Sequence, residues 1–119
     1  MAKEYSLLIT GGAGFIGSNL VNKYINDSRV SLVRVIDDLS NGYYSNIEEF
    51  IGHPKFEFVK ADICDYEVCF EVTKGIDKIT HQAALGSVPR SIVNPMRSTE
   101  VNVLGTVNMM HAAHINGAD

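Results

Sequence analysis

Short apolar runs recur along the chain, each closed by a glycine, proline or polar break, and their spacing predicts buried strands alternating with amphipathic helices. Leu7-Leu8-Ile9 is the first run, suited to a strand covered on both faces. Ser31-Leu32-Val33-Arg34-Val35-Ile36 predicts a second strand, the alternation of Phe56, Phe58 and Val59 a third, and Lys78-Ile79-Thr80-His81 a brief fourth. Between the first two, a helix is expected from about Phe15 to Asn26. Phe15, Ile16, Leu20 and Val21 fall on one side of it, and Ile16, Leu20 and Tyr24 are spaced for a buried face. Tyr43 to Phe50 reads as a short helix or loop ended by Gly52 and Pro54, and another helix starts near Tyr66 with Val68, Phe70 and Val72 in the core. The longest helix is expected from Ser98 to Asn116, after a boundary at Asn94-Pro95 and before a glycine cap at Gly117. Leu104, Asn108, His111 and Ile115 would form one of its faces and Val103, Val107, Met110 and His114 another, so this helix calls for two neighbours. Strands alternating with helices predict an α/β fold with a doubly wound parallel sheet. Right-handed crossovers then give the order 3-2-1-4, with the reversal of order between strands one and four.

The first turn carries the sharpest chemistry. Thr10-Gly11-Gly12-Ala13-Gly14-Phe15-Ile16-Gly17 joins a predicted strand to a helix start without a bulky side chain before Phe15. Gly11 or Gly12 can take the tight turn, Gly14 lets a pyrophosphate approach main chain, and Gly17 lets helix and strand lie close. Free N–H groups and the positive end of the helix dipole then face an anion. The second strand ends in Asp37, and 37 − 17 = 20 places this acid where a ribose-binding carboxylate is expected. Such a carboxylate accepts from both ribose hydroxyls and repels a 2′-phosphate, which favours NAD over NADP. Capping of the next segment is the alternative use of Asp37, though Asp38 and Ser40 are better placed for it. Ser40-Asn41-Gly42 reads as a turn.

Later positions are read more evenly between structure and function. Asp62 serves equally as an N-cap for the helix near Tyr66. His81 reads as a hydrogen-bonded packing residue rather than a catalytic one. Gln82-Ala83-Ala84 offers small side chains beside the crevice, and Gly105 would let the last helix approach the sheet while Asn102 bonds strand-four backbone or the cofactor side. In Ser87-Val88-Pro89-Arg90-Ser91, two hydroxyls and a guanidinium could hold a sugar or its diphosphate, or simply form a polar surface turn.

Composition narrows the class. A chain of 119 residues with 45% hydrophobic content builds one modest core, not two domains. The net charge of −4 and the lack of a basic cluster argue against nucleic acid or an anionic membrane surface. No apolar run approaches the roughly 20 residues that span a bilayer, and Met1-Ala2-Lys3-Glu4-Tyr5 leads directly into the first strand, so a cytoplasmic location is expected. Cys64 and Cys69 lack the partners of a metal group and are expected to be reduced thiols; no metal site is predicted.

Thr10-Gly11-x-x-Gly14-x-x-Gly17 with Asp37-Asp38-Leu39-Ser40-Asn41-Gly42, Ala61-Asp62-Ile63 and His81-Gln82-Ala83-Ala84 resembles the extended short-chain dehydrogenase/reductase family, in its nucleotide-sugar epimerase and dehydratase branch. Within it, Leu85-Gly86-Ser87-Val88-Pro89-Arg90-Ser91 is most similar to 4-epimerases acting on UDP-N-acetylhexosamines. The resemblance runs over essentially the whole chain and implies a Rossmann-like domain over residues 1–119 that binds NAD. It assigns the cofactor to Gly11, Gly14, Phe15, Ile16, Asp37, Asp38, Ser40, Asn41, Gly42, Asp62, Ile63, Gln82, Ala83, Ala84, Gly86 and Asn102, with Asp62 on the adenine amino group. It assigns the nucleotide sugar, a UDP-sugar, to Ser87, Val88, Arg90 and Ser91. It also suggests a homodimer through the 98–116 helix, or swapping of an unfinished sheet. In the resembled enzymes NAD takes a hydride from sugar C4 while a tyrosinate of a Tyr-x-x-x-Lys pair takes the hydroxyl proton. That pair is not in these residues: Tyr43, Tyr44 and Tyr66 are followed four places on by Ile47, Glu48 and Phe70. The expectation is therefore the N-terminal part of a UDP-sugar 4-epimerase, lacking the sugar-binding C-terminal region, with no catalytic residue of its own and able to bind but not turn over. A sugar-nucleotide 4,6-dehydratase and a non-catalytic NAD-binding module are the alternatives.

Overall fold

The fold was obtained as a computed structural model that describes residues 4–40, 42–83 and 94–119. β1 (Tyr5–Thr10), β2 (Val30–Asp37), β3 (Phe56–Lys60) and β4 (Lys78–His81) form one sheet in the order β3-β2-β1-β4, all parallel. This is the expected order. Thr10 lies opposite both Ile36 and His81, and Asp37 opposite Lys60, so the four C-terminal strand ends share one edge.

Alternation along the strands builds a core on each face of the sheet. Leu7, Ile9, Val33 and Val35 point to one face, where α1 (Phe15–Ile25) contributes Val21 and Ile25, and two 3-10 turns, Tyr44–Asn46 and Glu48–Phe50, add Ile47 and Phe50. Leu8 and Ile36 point to the other, under α2 (Tyr66–Val72) and a long C-terminal helix. That helix begins as α3 (Pro95–Thr99), widens into a π-helical stretch over Glu100–Gly105 and continues as α4 (Thr106–Asn116). Gly117, at φ 75°, ends it as predicted, and the backbone then reaches the outer edge of β4, where Asp119 N–H donates to Asp77 O and Ile79 N–H to Asp119 O.

Three local expectations need correction. α1 buries Gly17, Val21 and Ile25, with Leu20 and Tyr24 only partly covered, and it leaves Phe15 and Ile16 exposed. The close approach at Gly17 sets this rotation. The last helix starts at Pro95 rather than Ser98, because the Asn94 side chain accepts from Arg97 N–H and proline suits the first turn. Neither of its two predicted faces is the buried one: Val101, Gly105, Asn108, Met109 and Ala112 pack inward, while Val103, Leu104, Val107, Met110 and Ile115 face outward. Gly105 and Asn108 decide this. A Cβ on Gly105 would sit 2.5 Å from Ile63 Cδ1, and the Asn108 amide donates to the carbonyls of Ile63 and Cys64. Asp65, whose carboxylate accepts from Glu67 N–H, caps α2, which frees Asp62 from that role. Among the described residues no helix is long and apolar enough to cross a membrane, and no cluster of residues suits a metal.

Candidate functional site

A cleft runs along the C-terminal edge of the sheet and crosses all four strands. Gln82 and Ala83 line it beyond β4, Gly11 and Gly14 above β1, Asp37, Asp38, Ser40 and Gly42 at β2, and Ala61, Asp62 and Ile63 at β3, with Val101 behind.

The glycine turn is defined by what would not fit in it. Gly11 holds φ 70°, and a Cβ there would meet Ala83 N at 2.8 Å. A Cβ on Gly17 would lie 2.2 Å from Gly11 O, inside any tolerable contact. Gly14 differs: its nearest neighbour would be Gly11 O at 3.4 Å, an ordinary contact, so a methyl group would fit there. Gly14 is also the N-cap of α1, no side chain caps the helix, and its first turn carries no acid. The N–H groups of Phe15 and Ile16 therefore emerge at a helix start without an intrahelical partner. This bare, positively polarised turn fits a pyrophosphate.

Ala13 fastens the turn to the loop after β2. Its N–H donates to Asp37 Oδ2 at 2.9 Å, and its carbonyl accepts from Tyr43 N–H at 3.0 Å and from the Asn46 side chain at 2.8 Å. The other oxygen of Asp37 accepts from Leu39 N–H at 2.8 Å and holds Leu39 at φ 65°, a left-handed conformation that costs a side-chain-bearing residue about 1–2 kcal/mol. Asp37 thus does cap the following segment, and its buried carboxylate, part of the cleft wall, keeps lone pairs for further donors.

At β4 a chain of hydrogen bonds has one consistent direction. Thr10 Oγ1 accepts from Gln82 N–H at 2.9 Å and Ala83 N–H at 3.1 Å, so its own proton goes to His81 Nδ1 at 2.7 Å. His81 then carries its hydrogen on Nε2 and donates to Thr106 Oγ1 at 3.0 Å, whose hydroxyl donates to Asn102 O at 2.9 Å. Burial lowers the His81 pKa, in keeping with a neutral ring. His81 is the packing residue expected of it. Asn102 is exposed, and the cleft wall at this level is Val101.

At β3 the walls are charged. Asp62 Oδ1 accepts from Cys64 N–H at 2.9 Å and Oδ2 from Arg97 Nη2 at 2.8 Å. The same guanidinium reaches Asp38 Oδ2 at 3.5 Å and pairs with Glu100. Burial pushes Asp62 up, but the Cys64 N–H and Arg97 outweigh it and hold the carboxyl below its usual range. Its carboxylate neighbours raise the Arg97 pKa, and burial followed by Asp62 pushes the Cys64 thiol up to about 11. Burial does the same for Cys69, also to about 11, and both cysteines are free.

The structure therefore brings Gly11, Gly14, Asp37, Asp38, Ser40, Gly42, Asp62, Ile63, Gln82 and Ala83 to one cleft, with Phe15 and Ile16 offering main chain at the helix start. Asn41, Ala84, Gly86, Ser87, Val88, Arg90 and Ser91 lie outside the described residues. The sequence reading missed Ala13, Asn46, Thr10 and Arg97. For Arg97 the only local sign is the acid at position 100, one helical turn on.

Residues 8–119 match the protein family described as GDP-mannose 4,6-dehydratase. UDP-glucuronic acid decarboxylase 1 of Danio rerio is 38% identical over 94% of this chain, which spans 25% of that protein. The structure of UDP-N-acetylglucosamine 4-epimerase from Methanobrevibacter ruminantium, in complex with UDP-N-acetylmuramic acid, superposes with a TM-score of 0.85 at 33% identity, covering 98% of this chain and 36% of that one. A dTDP-glucose 4,6-dehydratase from Streptomyces venezuelae with NAD bound gives 0.84 at 36% identity, covering 95% of this chain and 37% of that one. The chain thus spans about a quarter to a third of the length of these relatives.

Proposed function

The chain belongs to the GDP-mannose 4,6-dehydratase family, among the extended short-chain dehydrogenase/reductases that use NAD, and we propose that it is the NAD-binding portion of a nucleotide-sugar 4-epimerase. The observation that carries this reading is the continuous cleft across the C-terminal strand ends, with a bare helix start at its centre and carboxylates toward β3. In this reading the ligand follows the order of the strands. Pyrophosphate rests on the main chain at Gly14, Phe15 and Ile16, the adenosine ribose on Asp37 at the next strand, and adenine over β3 beside Asp62 and Ile63. Asp38, Ser40, Asn41 and Gly42 surround the ribose. In this reading Gln82, Ala83, Ala84, Gly86 and Asn102 serve the nicotinamide end.

Bound NAD supplies a reversible hydride acceptor for sugar C4. The chain's own residues bind and orient: Ser87, Val88, Arg90 and Ser91 would hold a UDP-sugar, with the guanidinium on its diphosphate. Proton transfer needs a Tyr-x-x-x-Lys pair from outside these 119 residues, so the chain itself is expected to bind without turning over. The exposed stripe of Val103, Val107 and Met110 would be covered in a homodimer.

Calorimetry tests the cofactor end: NAD should bind at least about tenfold more tightly than NADP, because Asp37 and Asp38 oppose a 2′-phosphate. Equal affinities would end that assignment. A 4,6-dehydratase is the second reading, favoured by the matched family and the Streptomyces venezuelae neighbour. Products from a polypeptide that carries the Tyr-Lys pair separate the two: inversion at C4 with every oxygen retained for the epimerase, loss of one water for the dehydratase.

A further inference from the structure

Arg97 is the one cation that the fold brings to the adenosine end of the cleft among the described ion pairs, and it comes from an element 35 residues beyond Asp62. It does not line the cleft, whereas Asp38 and Asp62, with which it pairs, do. Its Nη2 holds Asp62 Oδ2 while the Cys64 N–H holds Oδ1, and the Cys64 thiol is a further hydrogen-bond partner of the carboxylate. The carboxylate retains a lone pair for a donor in the cleft. The Asp62 side chain is 38% exposed, so these anchors rather than burial fix its direction. Asp38 and Glu100 touch the same guanidinium, and without it three carboxylates would converge beside an anionic dinucleotide.

We propose that Arg97 is the positioning residue for adenine recognition, holding the Asp62 carboxylate where it accepts the exocyclic amino group of the base. The inference rests on the placement of adenine over β3 proposed above. Arg97 lies outside the cleft lining and acts through Asp62, and its fork engages several carboxylates at once in a way that an ammonium cannot reproduce.

Two dinucleotides read this directly: NAD, and its deamino form, in which hypoxanthine puts an oxygen where adenine carries the amino group. Calorimetry on the chain should show about a tenfold preference for NAD, the size of one well-made hydrogen bond to a charged acceptor. Arg97→Gln should bring that preference within about twofold, mainly by weakening NAD, while binding of the deamino form changes little. Arg97→Lys keeps the charge without the fork and should give an intermediate ratio. Glu100→Gln removes a competitor for the guanidinium and should leave the preference intact or raise it. A merely structural Arg97 would weaken both dinucleotides by the same factor, and that result overturns the proposal. A wild-type chain that binds NAD without preferring it to the deamino form overturns the proposal together with the placement of adenine, but spares the cofactor assignment. A chain that binds neither overturns the cofactor assignment as well.

Discussion

At the β1 end of the cleft the walls are main chain, and at the β3 end they are charged side chains. Around Gly11, Gly14 and Gly17 there is no side chain to adjust, and a Cβ on Gly17 would lie 2.2 Å from a carbonyl oxygen that cannot move without dismantling the turn. Around Asp62, three carboxylates share one guanidinium, part of it exposed to water. The first region offers shape and fixed dipoles, which tolerate almost no substitution. The second recognises by charge, which tolerates rearrangement and weakens as salt rises. One cofactor spanning both would meet a rigid grip at its phosphates and an adjustable one at its base.

The sharpest break between them is at the glycines. Gly17→Ala should cost at least about 3 kcal/mol of stability in urea unfolding, since its methyl meets backbone on two sides. Gly14→Ala should cost less than about 1 kcal/mol of stability, because its methyl makes only an ordinary contact with Gly11 O, yet lower NAD affinity about tenfold or more by occupying the phosphate seat. If Gly14→Ala binds NAD like the wild type, the pyrophosphate does not sit on this turn.

Asp37 lies between the two regions and takes part in both. Its carboxylate accepts from Ala13 on the turn and from Leu39 on the charged side. Asp37→Ala should therefore lower stability by about 1–3 kcal/mol, through the two orphaned N–H groups, and weaken NAD by a similar amount. Asp62→Ala should weaken NAD by less, about 1 kcal/mol, with little effect on stability, as its carboxylate is more exposed. Raising salt should shrink the Asp62 effect in titrations more than the Gly14 effect, which is steric. Equal salt dependence at both positions would erase the contrast.

The β1 end was the more legible in sequence. A glycine turn after a strand, and an acid 20 residues past Gly17, are local or nearly local patterns, and the strand order follows from crossover handedness. What escaped were contacts that only folding creates. Thr10 and His81 lie 71 residues apart, and Arg97 and Asp62 lie 35 apart. The rotation of α1 was misjudged because Ile16 looks like core by hydropathy, whereas the need to fit Gly17 against Gly11 O turns it outward. The C-terminal helix was misjudged for a related reason. Its buried stripe includes Gly105 and Asn108, which periodicity of apolar residues does not count, and its π-helical stretch shifts the register.

Acid should loosen the two ends in different pH windows, the smallest of these effects. Burial lowers the His81 pKa from its ordinary 6.5. The unfolded chain therefore takes up a proton there before the folded one does, and stability falls as pH drops below about 6.5 toward the lowered folded value. The slope from this one group cannot exceed about 1.4 kcal/mol per pH unit. A proton on Nδ1 would also remove the acceptor for Thr10, whose oxygen holds the Gln82 and Ala83 N–H groups at the cleft. Asp62 has the opposite charge type and the lower window. Its folded pKa lies below the ordinary 3.8, so its contribution is complete above that value and is lost only as pH falls through it. Urea midpoints measured from about pH 8 to about pH 5 should thus decline in the wild type and flatten in His81→Gln, with Asp62→Asn still declining like the wild type. A decline that persists in His81→Gln would show that another group governs the upper window, and the hydrogen-bond chain from Thr10 to Asn102 would lose its claim to hold the β4 end in place.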